Sequence, residues 1–106
     1  MGRAVIVAYR PKPGMAEALK ALVDTHVDRL RAQGLATDKK QIILQAADGT
    51  LLEIFEWMSP TAIQQAHSNP EVLKMWGEFA VVCDYLPLSQ LPEAQALFAE
   101  FILLSE

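Results

Sequence analysis

The chain has 106 residues, 52% of them apolar, and its 13 acidic and 9 basic residues give a formal net charge of -4. That length fits one domain, and with Lys39-Lys40 as the only adjacent basic pair there is no positive stripe for phosphates, so neither nucleic acid nor an anionic membrane surface is expected as a partner. A domain of this size buries roughly two-thirds of its unfolded surface, so part of this apolar content is expected in a partner interface or a pocket.

Arg3 to Arg10 is an apolar, β-branched run closed by Pro11 and Pro13-Gly14, which predicts a strand followed by a turn. Its continuous apolarity predicts cover on both faces. Met15 to about Gln33 predicts a helix. Met15, Leu19, Leu22, Val23, His26 and Leu30 fall on one face at helical spacing, and Gly34 is a natural left-handed cap.

Gln41–Ala47 and Thr50–Met58 predict a hairpin around Asp48-Gly49, read as a two-residue turn with φ > 0 at both positions. That turn pairs Ala47 with Thr50, Ile43 with Ile54 and Gln41 with Glu56. Gln41, Ile43, Gln45, Leu52, Ile54, Glu56 and Met58 then share one face, and Ile42, Leu44, Ala46, Leu51, Glu53, Phe55 and Trp57 the other. Ser59-Pro60 and Asn69-Pro70 each read as an N-cap followed by proline at the first helical position. They predict a short helix to about Ser68 and a second with Val72, Trp76, Phe79, Ala80 and Cys83 on one stripe. Asp84–Leu88 predicts a short or edge strand because of Pro87. A short helix over Pro92–Ala99 and an apolar tail, Phe101–Leu104, complete the chain.

The order β-α-β-β-α-β predicts one α+β domain over 1–106, ferredoxin-like, with a four-stranded antiparallel sheet and a C-terminal extension over 89–106. Helices cover one face of such a sheet. The other face is too apolar for water and is expected to pack against a second copy, giving a homodimer, with the tail reaching the partner. No leader-like segment follows Met1-Gly2-Arg3, no apolar run approaches the ~18 residues of a membrane span, and the lone Cys83 precludes an intrachain disulfide. These features predict a cytoplasmic protein.

Glu56-Trp57-Met58-Ser59-Pro60-Thr61-Ala62-Ile63, then Ala66-His67-Ser68-Asn69-Pro70-Glu71-Val72, then Trp76, resembles a region of the antibiotic biosynthesis monooxygenase-like group of dimeric α/β-barrel proteins. The likeness in organisation covers nearly the whole chain, and the likeness in sequence about twenty residues. It implies a dimeric α/β barrel with a pocket between helices and sheet in each subunit. The haem-degrading branch of that group relies on an Asn on the first strand, a Trp in the second helical region and a haem-ligating His beyond it. Here the first strand lacks Asn, Ala66 stands near the Trp position and Trp76 near the His position, so haem degradation is not expected.

Among residues able to do chemistry, His67 is the sharpest candidate, since a neutral imidazole takes protons near pH 7. Its bland alternative is a helix-end residue bonded to backbone carbonyls. Glu56 is a second catalytic candidate, as a carboxylate among apolar neighbours, against an ion pair across the dimer to Arg3 or Arg10. Trp57, Trp76, Phe79 and Tyr85 are candidates for lining a substrate cavity, although aromatics at helical spacing are more often core. Tyr9 could orient a ligand, His26 reads as a satisfied core histidine, and Cys83 as an inert thiol. Neither histidine has metal-ligand spacing. Gly-x-Gly-x-x-Gly, the P-loop and Gly-x-Ser-x-Gly are absent, so no cofactor is expected. The resemblance and these residues lead to a cofactor-independent monooxygenase acting on a small aromatic or polyketide-like compound. A non-catalytic dimeric ligand-binding or interaction module, and an isomerase or cyclase on the same fold, are the alternatives.

Overall fold

Residues 1–105 are described by a computed structural model. β1 spans Arg3–Pro11, α1 Ala16–Ala32, β2 Ile42–Gln45, β3 Leu51–Trp57, α2 Pro60–Ala66, α3 Pro70–Val82, β4 Cys83–Leu86 and β5 Ile102–Leu103. Gly34, at φ +72°, ends the first helix as the sequence predicts. Both later helices start at their predicted caps. The Ser59 side chain accepts from the Ala62 N–H, and the Asn69 side chain from those of Glu71 and Val72. α2 stops at Ala66, two residues before the predicted Ser68.

The strands form one antiparallel sheet ordered β4-β1-β3-β2-β5, so five strands are present where four are predicted. The fifth is the tail. Ile102 and Leu103 pair with Gln45 and Leu44 at the β2 edge of their own chain. A two-residue strand has no periodicity from which it could be read. Residues predicted as a helix over Pro92–Ala99 form only a 3-10 turn at Pro92–Gln95, after another at Leu88–Gln90. Pro92 opens such a turn, but the chain returns to extended backbone at Ala96.

The hairpin differs from its prediction by one residue. Among the described residues glycines alone have positive φ, so Asp48 is not left-handed, and Gly49 carries the turn at φ +92°. The Ala46 N–H donates to the Thr50 carbonyl, which makes Ala47-Asp48-Gly49 a three-residue loop. Ile43 therefore pairs with Glu53, and Ile42 with Ile54. Shifting the pairing by one residue moves all of β2 to the opposite face. Ile43 joins Leu51, Phe55 and Trp57 under the helices, and Gln41 follows it.

The main core lies on that helix-covered face. Leu19, Val23, Val27 and Leu30 of α1 and Val72, Met75 and Phe79 of α3 meet Tyr9, Ile43, Leu51, Phe55 and Trp57 of the sheet. A bidentate pair from Arg29 to Glu78, 2.9 and 3.1 Å, ties α1 to α3. On the reverse face Leu91, from the C-terminal turns, packs on Ala8, Ala46 and Leu52. The rest of this face is uncovered, with Ile6 51% and Ile42 43% exposed. The cover predicted for both faces of β1 is thus present on one face and at one end of the other. No helix is long and apolar enough to cross a membrane among the described residues.

Candidate functional site

Glu53 sits mid-strand in β3, flanked by Val7 of β1 and Ile43 of β2, and its residue exposure is 0%. An unpaired carboxylate in that position would be strongly destabilising. Three donors converge on it. The Tyr9 hydroxyl donates to Oε1 at 2.6 Å, His26 Nδ1 lies 2.7 Å from the same oxygen, and the Gln41 amide donates to Oε2. The Gln41 amide nitrogen also donates to the Val23 carbonyl at 3.0 Å, which locks its orientation.

Aromatic rings hold these groups in place. His26, on the inner face of α1, meets the rings of Phe55 and Phe79 edge-on, each with centroids 5.2 Å apart. Tyr9 stacks on Phe79 at 5.2 Å. Burial first, and the Glu53 charge second, push the Tyr9 hydroxyl far above the usual phenol range. Tyr9 therefore remains a proton donor at any physiological pH.

An ionised carboxylate only accepts, so a neutral His26 carries its proton on Nδ1 and its lone pair on Nε2. Nε2 has no hydrogen-bond partner among the described residues, yet it is not one of the sealed unpaired polar atoms, of which Thr50 Oγ1 is the example. The ring lines a cavity of about 340 Å³, and Nε2 is its open end. Val5, Val7 and Tyr9 of β1, Phe55 and Trp57 of β3, Trp76 of α3 and Tyr85 of β4 line that cavity with His26. Its size falls in the ~300–1,000 Å³ range of small-molecule sites. Tyr85 lies opposite Tyr9 in the sheet register, with ring centroids 5.5 Å apart. Its hydroxyl is pushed up to about 12 by burial, with Cys83 and Glu53 adding to the shift.

The predicted residues divide. Trp57, Trp76 and Tyr85 line the cavity. Phe79 is fully buried behind it, as the ring against which Tyr9 and His26 pack. His67 is exposed at the C-terminal end of α2, with its ring edge against Trp76 at 5.2 Å and no place in the cavity wall. Glu56 faces the reverse side of β3, near Gly2 and 3.8 Å from Lys39 of the same chain. The structure does not bring His67 and Glu56 together. Cys83 is buried, its thiol donates to the Phe79 carbonyl, and burial, then Asp84, push its pKa up to about 11.

Sequence reasoning set His26 aside as core and passed over Glu53 and Gln41. The signal was present as two anomalies. A histidine interrupts the apolar face of α1, and a glutamate interrupts the apolar face of β3 shared with Phe55 and Trp57. Two polar residues on faces that must pack together are partners for each other. Among the described residues no group of three or more His, Cys, Asp or Glu is placed to hold a metal ion.

No family model and no curated protein matches the chain. Among solved structures it is similar to Rv0793 from Mycobacterium tuberculosis, with a TM-score of 0.61 and 22% identity over 82% of this chain and 94% of that one. At that identity the likeness is one of fold.

Proposed function

We propose that the chain is a small-molecule enzyme in which His26 is the general base, oriented by Glu53, and that its reaction is cofactor-independent monooxygenation of a small aromatic or polyketide-like compound. The observation that carries this reading is Nε2 of His26, left open to an apolar cavity while Nδ1 is fixed on a buried carboxylate. An orienting carboxylate selects the tautomer and stabilises the imidazolium that forms. Proton abstraction from a phenol or enol yields an electron-rich anion, held against the aromatic walls of the cavity. In the reaction with O₂, a substrate methylene becomes a carbonyl, one oxygen atom enters the product and the other leaves as water. The monooxygenase reading rests on the resemblance of Glu56–Trp76 to the antibiotic biosynthesis monooxygenase-like group.

With that resemblance comes the ferredoxin-like, dimeric α/β-barrel assembly. Its support here is the uncovered apolar reverse face of the sheet, with Ile6 and Ile42 exposed.

Two measurements on a panel of phenols and hydroxylated anthrones test the reading. Exchange of the acidic carbon-bound hydrogen for deuterium without oxygen, followed by NMR, reads the base alone, and an oxygen electrode reads the full reaction. His26→Ala is expected to slow exchange by ~10²–10⁴, and His67→Ala to leave it unchanged. Full activity in His26→Ala overturns the assignment of the base. Exchange without oxygen consumption in the wild type replaces the monooxygenase with an isomerase or cyclase.

A further inference from the structure

The polar end of the cavity restricts the charge of what it holds. Glu53 is completely buried, and the groups that meet it are a hydroxyl, an imidazole and an amide. Among the described residues no lysine or arginine lines the cavity. Arg10, Lys20, Arg29, Arg31 and Lys39 are instead engaged with carboxylates elsewhere. The carboxylate charge is thus solvated by dipoles and by His26.

We infer that Glu53 makes this cavity selective for an uncharged ligand, a weak acid held through its undissociated hydroxyl, and against carboxylates and phosphates. This inference rests on the reading of the cavity as a ligand site, and it adds the class of ligand admitted. A neutral hydroxyl that donates to His26 Nε2 leaves the ligand, His26 and Glu53 with one negative charge in total. The total is the same whether the proton stays on the ligand or moves to His26. A carboxylate at the same place brings a second negative charge, or must draw a proton from water. Two like charges a few ångströms apart, among walls of this kind, repel by enough to weaken binding more than tenfold. Among the described lining residues no cation offsets that repulsion. β1 and β4 contribute the neutral hydroxyls of Tyr9 and Tyr85, and α3 the uncharged rings of Trp76 and Phe79.

The test compares 2-naphthamide with 2-naphthoate, which share a shape and differ in charge, alongside 2-naphthol. Affinities come from calorimetry at pH 8. The indole N–H resonances report occupancy, because the chain has two tryptophans and both line the cavity. Naphthol and naphthamide are expected to bind and to move both resonances, and naphthoate to bind at least tenfold more weakly than naphthamide. In Glu53→Gln, with folding checked by thermal melting, naphthoate is expected to come within about threefold of naphthamide. Equal wild-type affinities for the two overturn the charge selectivity and leave the ligand site standing. No binding of either neutral probe removes the ligand site itself, and the inference with it. An undiminished gap in a folded Glu53→Gln overturns the assignment to Glu53. Where that variant fails to fold, the wild-type comparison decides alone.

Discussion

His26 Nδ1 lies 2.7 Å from Glu53 Oε1, although 27 residues separate them in the chain. The contact ties α1 to the centre of the sheet and fixes the one imidazole that faces the cavity. Its removal should therefore be felt in both stability and tautomer. Glu53→Leu strips the acceptor from Tyr9, His26 and Gln41 and is expected to cost about 3 kcal/mol or more in urea unfolding. Glu53→Gln, which keeps one acceptor oxygen, should cost less. Nitrogen-15 spectra should show the neutral His26 ring protonated on Nδ1 in the wild type, and a mixture of tautomers in Glu53→Gln. A pure Nε2–H form in the wild type would contradict the role given to Glu53.

Stability at high pH follows from three protons held above their usual range, on buried Tyr9 and Cys83 and on half-exposed Tyr85. Tyr9 holds its proton far above the phenol value of 10.0, Tyr85 is pushed up to about 12, and the Cys83 thiol moves from 9.0 up to about 11. In each case the folded state keeps a proton that the unfolded state releases sooner. By linkage, stability is untouched below about pH 9 and falls as pH rises from there to about 12. Tyr9→Phe should lower stability near pH 7 by about 1 kcal/mol through the lost hydrogen bond. It should then lose less than the wild type between pH 9 and 12. Urea midpoints measured across that range check this, and parallel curves for the two proteins would refute it.

The hairpin tip makes a separate prediction. Gly49→Ala places a side chain at φ +92° and is expected to cost about 1–2 kcal/mol. Asp48 accepts from the Thr50 N–H at 2.9 Å, and that bond chiefly holds its carboxyl below the usual range. The stability it adds is present above the unfolded carboxylate value and lost as pH falls through the lower folded one. Asp48→Ala should cost about 0.5–1 kcal/mol at pH 7 and progressively less as the pH is lowered through the carboxylate range. An equal cost across that range would assign the effect to backbone propensity instead.

Assembly is checked through the reverse face. Light scattering at micromolar concentration should give about twice the chain mass of 11.7 kDa. Ile6→Lys puts a charge at the centre of the uncovered face, where Ile6 pairs with Ile54, and is expected to yield a folded monomer. A monomeric wild type would show that this face is tolerated in water.

Much of the fold was legible because local chemistry dictated it. Ser59 and Asn69 cap the helices at the predicted positions, Gly34 stops α1, and the alternation of β3 puts Leu51, Glu53, Phe55 and Trp57 on one side. The candidate site was less legible, and one backbone angle accounts for part of the loss. Asp48-Gly49 supports a two-residue or a three-residue loop, and the choice depends on whether Asp48 turns left-handed. Taking the shorter loop set Gln41 beside Glu56 and away from Glu53. Gln41 lies instead with Glu53, to which it donates. His26 was hidden for another reason. From one sequence, a histidine in an apolar stripe looks the same whether or not its second nitrogen is free.

α3 ends at Val82 and β4 begins at Cys83, so no residue separates helix from strand. Trp76 and Tyr85, which both line the cavity, are therefore carried by one helix–strand segment, held by the Cys83 thiol on the Phe79 carbonyl and by Lys12 Nζ on that of Ala80. With no loop between helix and strand, a change of side-chain size at residue 76 or 85 alters the cavity directly.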